Sequence, residues 1–124
     1  MSKALRTATV AALLSACAIE PPPRTALSAS SPQEEAAAEA VTVLLPFDAR
    51  GIPVVGTVEG TVCKVGAHDD DPTQEEAMRQ LRLAAVRRGA NALTGIDCER
   101  SGFSLSDNCF SMLTCRGVAL ARVR

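Results

Sequence analysis

The sequence predicts an α+β fold: one α-helix packed on a small, mainly antiparallel sheet of three to four strands, stapled by two disulfides. Three observations carry this. The stretch from Thr73 to Cys98 reads as a capped amphipathic helix, a glycine exit at Gly89, and a short apolar run ending in a cysteine. Runs that alternate apolar with polar or small residues lie on either side of it, over 54–63 and 112–123. Four of the five cysteines, Cys63, Cys98, Cys109 and Cys115, fall in or beside these segments. With no Trp or Tyr and only 3 Phe, the core must be built of Ala, Val and Leu, and small domains of that kind are usually cross-linked.

In chain order, Lys3 and Arg6 precede an apolar run, Thr7 to Leu14. The run is far shorter than the roughly 20 residues of a spanning helix, so residues 1–16 are expected to be a signal peptide. It ends in Leu14-Ser15-Ala16-Cys17, which resembles a bacterial lipobox. In such sequences the peptidase cuts before the cysteine, whose thiol already carries diacylglycerol. Cys17 is therefore the expected lipidation site, and this covalent lipid is the one prosthetic group expected. Two or three acyl chains hold stably at about 0.8 kcal/mol per buried methylene, so the mature protein would sit on a membrane without crossing it. Ala18 follows the cysteine, where enterobacterial lipoproteins retained at the inner membrane commonly have aspartate; the outer membrane is the expected address, with the domain in the periplasm.

Cleavage would remove 2 of the 13 basic residues and leave 11 against 14 acidic ones, a formal charge of −3. That balance is too mild to indicate nucleic acid. It also leaves four cysteines in an oxidising compartment, for which two disulfides are the natural reading.

Residues 17–40 read as the lipidated cysteine followed by a flexible linker rich in Pro, Ala and Glu, with transient helix over Gln33 to Ala40. Fully extended, such a tether reaches about 75 Å. The folded domain is expected over 41–124. Val41 to Leu45 is a short strand stopped by Pro46, and Val54 to Cys63 is a half-buried one. In it Val54, Val58 and Val62 share a side with Gly56 and Gly60, so something packs closely there or the strand bends. Cys63 falls on the other side, with Thr57, Glu59 and Thr61.

His68-Asp69-Asp70-Asp71 has the residue types of a hard-cation cluster, but Asp71-Pro72 with Gln74, or Thr73 with Glu76, also makes a helix cap, which is the favoured reading. The helix, about Thr73 to Arg88, sets Ala77, Met78, Leu81, Ala84 and Ala85 on one stripe, and Gly89 suits a left-handed end. Ala92 to Cys98 returns as a strand, 99–111 is a polar loop, and 112–123 is the last strand. In that last strand Leu113, Cys115, Ala119, Ala121 and Val123 share one face, and Thr114, Arg116 and Arg122 the other.

Four cysteines allow three pairings, and the sequence alone does not choose among them. A hairpin of the last two strands favours Cys98 with Cys115, which leaves Cys63 with Cys109. Neither pair has the Cys-x-x-Cys spacing of a thiol oxidoreductase or a structural zinc site. The lipobox, the Pro-containing linker, Gly56-Thr57-Val58-Glu59-Gly60 followed by Cys63, Arg88-Gly89-Ala90-Asn91-Ala92, and the order Cys98, Cys109, Cys115-Arg116-Gly117 together resemble the RcsF family. These are outer-membrane lipoproteins that sense envelope stress for the Rcs phosphorelay. The resemblance covers about residues 52–124 plus the anchor. The linker here is shorter and less proline-dense than the family's, and the loop before Cys109 is longer.

The resemblance implies a compact α+β domain with interleaved disulfides Cys63–Cys109 and Cys98–Cys115. It also implies a sensor that works by protein–protein contact: with an outer-membrane barrel or barrel-assembly protein on one side and an inner-membrane signalling regulator on the other. A second reading is a binding module for lipopolysaccharide or another anionic envelope ligand, through Arg79, Arg82, Arg87 and Arg116, since an arginine fork suits phosphate. An enzyme is the least favoured, because the single histidine, His68, stands beside a helix cap with no nucleophile placed near it, and no metal site is expected.

Overall fold

The three long strands and a short N-terminal helix all pack against one central helix. The computed structural model describes residues 30–106 and 108–123. Its elements are α1 (Pro32–Glu39), β1 (Thr42–Val43), β2 (Val54–Lys64), α2 (Gln74–Arg87), β3 (Ala92–Ser101) and β4 (Ser111–Leu120). The strands form a single sheet in the order β1-β3-β4-β2. β4 pairs antiparallel with both β2 and β3, and only the two-residue β1 runs parallel to its neighbour, so the sheet is mainly antiparallel and the fold is α+β.

Both ends of α2 are closed by local chemistry. Of the two caps open in the sequence, Thr73 is the one used: its hydroxyl accepts from the Glu76 N–H at 3.2 Å, and its own N–H donates to the Glu76 carboxylate at 3.0 Å. At the other end Gly89 takes φ +79°, the Gly89 N–H donates to the Val86 carbonyl, and the Ala90 N–H donates to the Ala85 carbonyl. This reciprocal pair is a Schellman motif, and the burial of Ala85 and Ala90 supplies its apolar contact.

The acidic run ahead of α2 is used piecemeal. Asp69 accepts from the Gly66 N–H at 2.7 Å and Asp71 pairs with Lys64 at 2.9 Å.

The inner stripe of α2, Ala77, Leu81 and Ala85, is fully buried against the sheet, with Met78 and Ala84 packed beside it. Small residues let the helix come very close. A Cβ built on Gly60 would stand 2.1 Å from the Leu81 backbone nitrogen and 2.7 Å from the Ala77 carbonyl oxygen, so the α2 backbone lies directly on β2 at that point. Of the two outcomes open at Gly60, close packing or a bend, close packing is the one found.

Both disulfides form in the expected pairing, with Cα–Cα distances of 5.5 Å for Cys63–Cys109 and 4.0 Å for Cys98–Cys115. Cys98 and Cys115 are register partners across β3 and β4, and Cys115 is fully buried beneath α2.

Four expectations need correction. Val54 is exposed rather than inward, because the register shifts between Val54 and Gly56 and Val55 packs on the core in its place. β3 continues to Ser101, since the hairpin keeps pairing as far as Ser101 and Met112, so the loop is 102–110 rather than 99–111.

β4 stops at Leu120, because β3 has no residue beyond Ala92 to pair with it. Val123 is accordingly exposed rather than on a buried face. The Asn91 side chain takes over there, accepting from the Arg122 N–H and donating to the Arg122 carbonyl, each at 2.7 Å. Finally, the folded unit begins before Val41: Ser30 to Ala40, read as linker, holds α1, and α1 packs on α2.

Candidate functional site

α1 is eight residues, PQEEAAAE, started by a complete capping box. The Ser31 hydroxyl accepts from the Glu34 N–H at 3.2 Å, and the Ser31 N–H donates to the Glu34 carboxylate at 3.0 Å. So short a helix is marginal by itself, and its packing against α2 supplies what propensity does not. Ala38 is buried in that contact, and the two glutamates of the first turn each reach an arginine of α2. Glu34 accepts from Arg87 Nε at 3.3 Å, and Glu35 accepts from both Nε and Nη2 of Arg79 in a two-pronged pair.

The face of α2 involved is the one turned away from the sheet. At about 100° per residue, Leu83 lies opposite Leu81, with Arg79 one turn before it and Arg87 one turn after. Leu83 is only 1% exposed and lies outside the core beneath α2. It is therefore buried under α1, flanked by the two ion-paired arginines. α2 is the middle layer of a three-layer stack.

Carboxylates in this contact are held below the ordinary glutamate range. For Glu34 the main cause is the Ser31 N–H, followed by the Arg87 guanidinium; for Glu35 it is the Ser30 hydroxyl, followed by Arg79. Beside the contact is a cleft of about 250 Å³ lined by Glu35, Ala38, Glu39, Glu75, Met78, Arg79 and Arg82. Arg82 Nε is buried with no hydrogen-bond partner among the described residues.

The four arginines considered for anion binding are thus not one patch. Arg79, Arg82 and Arg87 share the outer side of α2, where two of them already hold carboxylates. Arg116 lies on β4 among the sheet residues facing away from the helix. It donates to Glu59 at 2.8 Å, with Glu99 at 4.0 Å, and its positive charge is stabilised by Glu59 first and Glu99 and Asp97 after it.

A second surface was not singled out from sequence. All three phenylalanines are exposed: Phe47 at 71%, Phe103 at 66% and Phe110 at 47%. Phe103 and Phe110 meet edge to face at 6.3 Å in the 102–110 loop, with Lys64 over the Phe110 ring and exposed Leu105 and Val65 in the same region. The Cys63–Cys109 disulfide ties this loop to the end of β2, and a Ser104–Cys109 bridge closes it. The available signal was the absence of aromatic residues from every stretch read as core.

Cys17 and the signal peptide lie outside the described residues. Among the described residues, no helix is long and apolar enough to cross a membrane. Compared with known proteins, the chain matches no protein-family model and no curated protein.

Proposed function

We propose that this chain is a lipid-anchored envelope-stress sensor of the RcsF kind, held at the outer membrane through Cys17, with its domain in the periplasm. It acts by protein–protein contact, receiving a signal at an outer-membrane barrel or barrel-assembly protein and passing it to an inner-membrane regulator that drives a phosphorelay.

The observation that carries the contact reading is the display of every aromatic side chain at the surface, two of them on a loop held by a disulfide. Exposed aromatic and aliphatic groups on a rigid support are what interface centres are made of. The interleaved cross-links support the compartment, since disulfides persist where the surroundings are oxidising.

The alternative, a module for lipopolysaccharide or another anionic envelope ligand, is less favoured. Arg79, Arg87 and Arg116 are already committed to carboxylates of the same chain.

The test is a Phe103→Ser/Phe110→Ser variant in cells, read by an envelope-stress reporter and by site-specific crosslinking from residue 105. Loss of reporter induction and of crosslinks to envelope proteins, with the thermal unfolding of the purified variant unchanged, is the expected result. Full induction in this variant and in a strain lacking the protein would overturn the sensor reading.

A further inference from the structure

We infer that the Arg79–Leu83–Arg87 face of α2 is a binding surface for an acidic helix of a partner protein, and that α1 is its internal occupant, displaced when the partner binds. The inference deepens the contact reading by adding a second surface and naming the kind of partner that fits it.

The α1 contact itself shows what the face accepts. Two neighbouring carboxylates on one helical turn reach two arginines that stand two turns apart, and a small side chain, Ala38, is buried in the same contact. An apolar centre flanked by two cations suits an amphipathic acidic helix. A bare phosphate would leave Leu83 exposed to water.

α1 occupies this face incompletely. Arg82 Nε stays buried and has no hydrogen-bond partner among the described residues, and the adjoining cleft of about 250 Å³ is walled by α1 on one side and α2 on the other. Glu39 lines that cleft without forming an ion pair to Arg82. A partner helix that brings a third carboxylate to Arg82 satisfies a donor that α1 leaves unused, and so has an advantage that α1 lacks.

The position of α1 makes exchange feasible. It is a short helix that, among the described residues, contacts no element but α2, and its ion pairs are exposed enough to be weak in water. It also stands between the tether and the sheet, so that its release leaves the core beneath α2 intact.

The test uses the full chain and a synthetic peptide of residues 30–41 as the acidic-helix probe. Binding is read from the backbone amide signals of Arg79, Leu83 and Arg87, in wild type and in a Glu34→Gln/Glu35→Gln variant that weakens the internal contact. Removing an intramolecular competitor should tighten binding of the probe by at least about tenfold. An added Arg79→Glu/Arg87→Glu change should abolish it.

Equal binding to wild type and variant, binding that survives the arginine reversal, or no shift of the α2 amides would each overturn the inference. So would binding of the variant to phosphatidylglycerol vesicles but not to the peptide, which would assign the face to anionic lipid. A failed peptide test with the reporter still dependent on Phe103 and Phe110 would reject this surface and leave the sensor reading standing.

Discussion

At the scale of single residues, the fold depends on side chains that are absent as much as on those present. Gly60 has no Cβ, and one built there falls 2.1 Å from the α2 backbone, which no rotamer change can relieve. Gly60→Ala is therefore expected to lose about 3 kcal/mol or more in urea unfolding, at the upper end of overpacking effects. Gly117 is the control. A Cβ built there meets Ile96 Cγ1 at 3.2 Å, the Thr94 carbonyl oxygen at 3.4 Å and Leu81 Cδ2 at 3.7 Å; only the first is tight, and it belongs to a side chain that can shift, so Gly117→Ala should cost about 1 kcal/mol or less.

Leu83 shows the converse. Its burial under α1 predicts that Leu83→Ala destabilises by about 2 kcal/mol or more, as truncation of a core leucine would. As one leucine among arginines it made no stripe, and its burial comes from an element the sequence reading had placed in the linker. Gly60 was legible as one of two outcomes, close packing or a bend, because strand alternation puts it on the valine face. Asn91 was legible only as part of a helix exit, since its two bonds to Arg122 join positions 31 residues apart.

At the scale of elements, α1 is the segment whose docking should respond to conditions. Glu34 and Glu35 titrate below the ordinary glutamate range in the folded protein, so their contribution is complete above that ordinary range. It is lost as pH falls through the lowered values. The exchange protection factors of the amides in residues 33–39 should thus be largest at neutral pH and fall once pH drops below the ordinary glutamate range, well before those of α2 fall. Raised salt at neutral pH should act in the same direction, because the pairs are partly exposed. Ser31→Ala, which removes the capping hydroxyl, should weaken the same helix by about 1 kcal/mol.

The signals for α1 were present: Ser31 and Glu34 at capping-box spacing with Pro32 between them. A hydrophobic stripe was missing, and composition therefore argued for a linker. α2 and the three long strands were readable because periodicity, cap and exit agreed within each. Their ends were misjudged where a bulge or the length of a neighbouring strand, neither of them local, decided the boundary.

At the scale of the whole molecule, a sheet covered on one side by a single helix is braced by two covalent links whose loops interleave. On the loop-entropy account the 17-residue and 46-residue separations are worth about 3 and about 4 kcal/mol. That is comparable to the whole stability of a small domain. Reduction is accordingly expected to unfold the domain at moderate temperature.

One of these links holds the aromatic loop, and α1 is ion-paired to the outer face of α2, so the two surfaces proposed for contact lie where a disulfide or a docked helix holds the chain. The central claim, a disulfide-stapled sensor on a lipid tether, is tested most directly by the mass of the intact protein extracted from cell membranes, taken without and then with reductant. The account predicts a chain beginning at an acylated Cys17 that gains four hydrogens on reduction, with non-reduced peptides linking Cys63 to Cys109 and Cys98 to Cys115. An unacylated chain, or four free thiols before reduction, would contradict it.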